Sequence, residues 1–109
     1  MPWLLREGEV LASLDLARTR RERSKGLLGR DGIAGALWLE PARSVHTVGM
    51  RFPIDVAFCD PDGVVLRVIT MRRHRVALPV LKSRAIVEAE AGTFGRWNLQ
   101  VGDQLEVKE

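Results

Sequence analysis

The sequence predicts an α+β domain, mainly antiparallel β, forming a small barrel-like or strongly curved sheet with one short helix near the N-terminus. Three observations predict it. Short runs rich in β-branched residues recur along the chain. Two of them, Ile54 to Cys59 and Val64 to Met71, flank Asp60-Pro61-Asp62-Gly63, where proline presets φ and glycine takes the left-handed position of a tight hairpin loop. A single capping-box spacing, Thr19-Arg20-Arg21-Glu22, marks one helix start.

The hairpin carries the core. A regular ladder closed by that loop puts Ile54, Val56 and Phe58 on one face with Val64, Leu66 and Val68, and Asp55, Ala57, Cys59, Val65, Arg67, Ile69 and Met71 on the other. Both faces are largely apolar, so the hairpin needs cover on each side. Closing the sheet into a small barrel would supply it and remove the sheet edges. An open sheet with the helix over one face is the competing arrangement.

The remaining elements follow in order along a single domain, residues 1–109. Residues 1–8 read as a loosely held lead-in. Val10 to Ala17 alternates as a first strand. The capping box starts a helix from about Arg20 to Leu28, ended by Gly29; Gly26 inside it calls for close approach to the sheet. Ala36 to Leu39 reads as a buried strand broken by Glu40-Pro41, and Ser44 to Met50 as a further strand with His46, Val48 and Met50 on one face. After the hairpin, Arg72 to Pro79 forms a crossing loop or edge strand. Arg84 to Ala91 alternates again, with Ile86, Glu88 and Glu90 on one face, and Glu88 and Glu90 read as solvent-facing acids. Gly92 and Gly95 flank a turn, Phe94 and Trp97 cap the core, and Leu105 and Val107 belong to a last strand.

Composition narrows the function classes. The 46% apolar and 28% charged fractions suit a globular protein. No apolar run approaches the roughly 18 residues of a membrane span, and Arg6, Glu7 and Glu9 interrupt any signal-peptide pattern. A cytoplasmic location is therefore expected, with no membrane partner, and the lone Cys59 agrees with a reducing compartment. The formal charge of +3 conceals two basic clusters: Arg18, Arg20, Arg21, Arg23, Lys25 and Arg30, and then Arg72-Arg73-His74-Arg75. If the fold brings both to one face they offer a surface for nucleic acid or another acidic partner. No aromatic residues interleave them as single-strand platforms require.

Several stretches together resemble the domain of unknown function 192 family of small β-rich proteins. They are Arg23-Ser24-Lys25-Gly26-Leu27-Leu28-Gly29-Arg30, Val45 to Phe58, Glu88-Ala89-Glu90-Ala91-Gly92 and Val101-Gly102-Asp103, and the likeness runs from about Leu14 to Val107. Where many relatives carry a Phe-Trp-Met-Lys-Asn-Thr type of segment, this chain has Val45 to Met50. The resemblance implies the fold and assigns no activity, so function has to be argued from a site.

The densest polar set near the hairpin is His46, Thr47, Met50, Arg51 and Asp55, with Trp38 as a large neighbouring anchor. Read as a ligand site, these six give a pocket in which Arg51 holds an anion. Read as acid/base chemistry for a hydrolase or isomerase, Asp55 or Glu88 is the base and His46 the acid. Asp55 stands out as an acid among hydrophobes, which needs a partner; Arg67, Arg51 and His46 are candidates, and capping of backbone amides near Phe52-Pro53 is the structural alternative. Cys59 has no activating neighbour in sequence and reads as a core residue. Two histidines, one cysteine and scattered acids show no metal-ligand spacing, and the glycines make no phosphate-binding loop. No metal or cofactor is expected. The residues favour a non-enzymatic binding module for a small ligand, peptide or protein.

Overall fold

The computed structural model describes residues 1–109. Seven strands and two short helices follow one another as β1 (Trp3–Arg6), β2 (Glu9–Ala17), α1 (Arg20–Lys25), β3 (Ala36–Leu39), β4 (Ile54–Cys59), β5 (Val65–Met71), β6 (Ala85–Glu90), α2 (Thr93–Trp97) and β7 (Leu105–Lys108). They build one mixed sheet in the order β5-β4-β6-β3-β2-β1-β7. Only β2 and β3 run parallel, and α1 lies in the crossover that such a pair requires.

The sheet curls without closing, so the barrel expected from the sequence does not form. β5 and β7 end the strand order. They come together only at one corner, where Leu105 N–H donates to the Gly63 carbonyl (2.8 Å) and Val65 N–H to that of Asp103 (2.8 Å). Gly63 sits there at φ +84°, and a Cβ on it would collide with the Leu105 carbonyl oxygen. Both conformation and space demand glycine.

The hairpin forms where the Asp60 to Gly63 turn placed it, but its face assignment is corrected. A bulge between Phe58 and Cys59 pairs Phe58 with Arg67 and Cys59 with Val65, and beyond it Ile54 and Val56 oppose Met71 and Ile69. One extra residue in β5 exchanges which of its side chains share a face with Ile54 and Val56. Ile54, Val56, Phe58 and Met71 pack in one core with Leu27, Leu37, Leu39, Met50, Phe52 and Ile86. Ala57, Cys59 and Val65 pack in the other, inside the curl, with Leu4, Leu14, Trp38, Val87, Phe94 and Leu105. β4 is consequently buried at every position.

Four further expectations change. The sequence predicts one helix, but a second, α2, forms where a turn flanked by Gly92 and Gly95 is expected, because Asp55 caps its first amides. The lead-in is a strand: β1 pairs with both β2 and β7, and Leu4 is completely buried. Helix α1 is shorter than its sequence signals. Its capping box is complete, but it ends at Lys25 because Gly26 turns the chain at φ +47°, ψ −125°, a conformation for glycine. A Cβ on Gly26 would make only ordinary contacts, so conformation, not close approach, selects it. No residue of α1 is buried; Leu27 and Leu28 beyond it anchor it to the sheet. Lastly, Ser44 to Met50 is a loop with a single bridge, His46 to Val76.

Candidate functional site

Between the end of α1, the loop 44–50 and the sheet lies a cavity of about 80 Å³, with Glu88, Met50 and Leu39 along its inner wall and Arg23, Lys25 and His46 toward its mouth. Glu88 belongs to β6, opposite Val56 on β4 and Leu37 on β3. Its side chain therefore points to the same face as those core residues, and it is only 3% exposed. The expectation of a solvent-facing acid fails because α1 and the loop 44–50 cover this face.

The Glu88 carboxyl has no compensation. Burial pushes its pKa up to about 7, with no hydrogen bond or neighbouring charge opposing the shift. No buried side-chain oxygen or nitrogen in the protein is sealed off from solvent without a partner. The unpartnered oxygens of Glu88 then border the cavity, where it is a polar floor beside the apolar Leu27, Leu39 and Met50.

Of the residues the sequence singles out, His46, Met50 and Glu88 line this one cavity, and the others lie elsewhere. Asp55 faces the other core. Its Oδ2 accepts from the Gly92 and Phe94 amides (2.9 and 3.0 Å) and its Oδ1 from the Thr70 hydroxyl (2.7 Å). Gly92, the N-cap of α2, has no side chain to satisfy those amides. Asp55 supplies the missing cap from β4, so its partners are neither Arg67, Arg51 nor His46. Trp38 also packs in that other core and donates to Glu40 Oε1 (2.9 Å). An acid/base pair of Asp55 and His46 is thus not assembled, because the sheet stands between them.

Thr47 and Arg51 have structural partners. Thr47 is completely buried; its hydroxyl donates to the Arg72 carbonyl (2.6 Å) and accepts from the Arg75 amide (2.8 Å). It clasps the loop 44–50 to the basic loop 72–75. Arg51 reaches outward to Asp31 (3.1 Å). Cys59 is fully buried, and desolvation, then the nearby Asp60 charge, push its thiol up to about 12, far from nucleophilic at neutral pH.

Segments beside the two basic clusters pack on one side of the sheet. Leu27 and Leu28, next to α1, and Ala77 and Val80, beyond Arg75, all pack on the core of Ile54 and Val56. The loop 44–50 bridges them, with the Gly49 amide donating to His74 Nδ1 (3.1 Å). Beside β5, Arg67, Arg72 and Arg75 line an open groove of about 560 Å³, and none of the three forms an ion pair. No helix is long and apolar enough to cross a membrane.

Solved structures share this architecture. A protein of unknown function from Novosphingobium aromaticivorans DSM 12444 superposes with a TM-score of 0.79 at 21% identity, covering 96% of this chain and 82% of that one. A protein described as a candidate transcription regulator from Sinorhizobium meliloti 1021 gives 0.83 at 20% identity, covering 97% and 91%. At these identities the likeness is one of fold. No curated protein matches in sequence. The DUF192 profile, described as "uncharacterized ACR", matches residues 4–107, nearly every element from β1 to β7. The curled sheet, the cleft under α1 and the basic loops are thus features of a chain that belongs to the DUF192 family.

Proposed function

We propose that this protein is a non-enzymatic binding module whose ligand site is the cleft between α1, the loop 44–50 and β6. One observation carries this reading: Glu88 is buried, unpartnered and lines that cavity. Leaving a carboxyl in that condition costs stability in the free protein, and a ligand that partners it recovers the loss. An acid/base enzyme is less well supported, since no hydrogen bond joins His46 to Glu88 and Asp55 is committed to α2. A small-molecule screen followed by ¹H–¹⁵N NMR tests the reading. Bound compounds should move the amides of Gly26, Leu28 and His46; compounds that bind without moving these would contradict it.

A second reading has its own observation. Segments next to both basic clusters pack over the same side of the sheet, and Arg67, Arg72 and Arg75 carry no carboxylate partners. A polyanion such as a nucleic-acid backbone would meet them there, an idea consistent with the regulator description of the Sinorhizobium neighbour. Affinity for duplex DNA should then fall steeply with salt and drop when Arg72 and Arg75 are replaced by glutamate. Unchanged retention by the double variant would remove this reading. We also propose a cytoplasmic location, with which a free, buried Cys59 is compatible.

A further inference from the structure

The cleft has a distribution of charge that specifies its ligand. Its floor is an acceptor with nothing to accept. Its mouth is cationic: Lys25 makes no ion pair, and Arg23 has no carboxylate and spends one nitrogen on the Arg18 carbonyl (2.6 Å). His46 is exposed at the same rim. We infer that the ligand is a small zwitterion of the α-amino-acid type, its ammonium on the Glu88 carboxylate and its acid group against Lys25 and Arg23. This rests on the cleft reading above and adds the chemistry of the occupant.

Size and electrostatics both bear on the choice. About 80 Å³ accommodates only a few heavy atoms and is well below the roughly 300–1,000 Å³ of sites for larger ligands. An ammonium group with one or two carbons fits where a nucleotide or flavin ring does not. A buried carboxylate is satisfied best by a cation that donates hydrogen bonds. A purely anionic ligand would satisfy the mouth and leave the floor deprived. A purely cationic one would have to pass two basic side chains and gain nothing from them. The zwitterion answers both ends.

Ionisation of Glu88 then gates binding. The other charged and titratable groups that line its cavity are Arg23 and Lys25 from α1 and His46 from the loop 44–50, and none is close enough to offset its burial. The adjoining strands offer Val56 and Leu37. Glu90, two residues along β6, is held by the Ile33 amide (3.3 Å). An ammonium ligand selects the ionised form, so affinity rises as pH passes through about 7.

The test titrates the ¹⁵N-labelled full chain with glycine, methylammonium and acetate at pH 6 and pH 8. Glycine should move the Gly26, Leu28 and His46 amides and bind about tenfold more weakly at pH 6, in proportion to the ionised fraction of Glu88. Methylammonium should bind the same place less tightly. Lys25→Met should remove the advantage of glycine over methylammonium, and Glu88→Gln should abolish both. Should Glu88→Gln prove unfolded, the Lys25→Met comparison and the pH dependence stand without it. Acetate binding in the cleft while both amines fail, or glycine binding that ignores pH, would overturn the zwitterion and leave the cleft as a site. Failure of these probes together with a wider panel to reach the cleft would overturn the site itself.

Discussion

Replacing Glu88 by glutamine should make the protein more stable at pH 8 and alter how stability depends on pH. Glutamine keeps the shape of the side chain and cannot ionise. In the unfolded chain Glu88 titrates near 4.5; in the fold burial raises it to about 7. The folded form binds the extra proton, so Glu88's contribution is fully present below about 4.5 and is lost as pH rises through about 7. At about 1.4 kcal/mol per pKa unit, the wild type loses about 3 kcal/mol relative to Glu88→Gln across that window, an upper figure. Burying the new amide adds an offset that is constant with pH and leaves the slope difference untouched. Urea unfolding of both proteins at half-unit steps from pH 4.5 to 8 measures it. Parallel curves would mean that Glu88 titrates as an ordinary solvated acid and that the cavity does not isolate it.

Other expectations follow from the partners of single side chains. Asp55→Ala should destabilise by roughly 3 kcal/mol, since two amides of the α2 start lose their acceptor, while Asp55→Asn should cost on the order of 1 to 3 kcal/mol; an unchanged melting temperature for both would show that α2 is capped some other way. Thr47→Val should cost about 2 kcal/mol and speed amide exchange at Arg75 and Ala77, because the Arg72 carbonyl and the Arg75 amide are released together. Exchange unchanged at both amides would mean that the clasp is dispensable. The Cys59 thiol should resist a disulfide reagent at pH 8 until the chain is unfolded, and rapid labelling of the native protein would show that β4 is not shielded.

What the sequence displayed well was local chemistry. The Asp60 to Gly63 turn, the Thr19–Glu22 capping box and the buried Ala36 to Leu39 strand each declare themselves through residues within a few positions of one another. What stayed hidden depended on distant partners. The bulge opposite Cys59 leaves no mark in β5's composition, yet it exchanges the hairpin's faces beyond it. Residues 1–8 looked loose because nothing in them shows that both β2 and β7 will pair with β1. Asp55 was conspicuous as an acid among hydrophobes, but its ligands, the Gly92 and Phe94 amides, lie far along the chain. Glu88 looks solvent-facing in the sequence because Glu90 shares its strand face. The corrective signal was present in Ile86, an apolar residue on that same face which α1 and its loop had to cover. Of the cleft itself, His46, Met50 and Glu88 stand out in the sequence, while Lys25 and Arg23 look there like no more than part of a charged surface.

The proposed site depends on one carboxyl lying uncompensated beneath α1. Following the ¹³C shift of the Glu88 carboxyl through a pH titration of the free protein asks this directly. A midpoint near 7, falling when glycine is added, is the predicted result. A midpoint between 4 and 5, the ordinary glutamate range, unmoved by glycine, would contradict it.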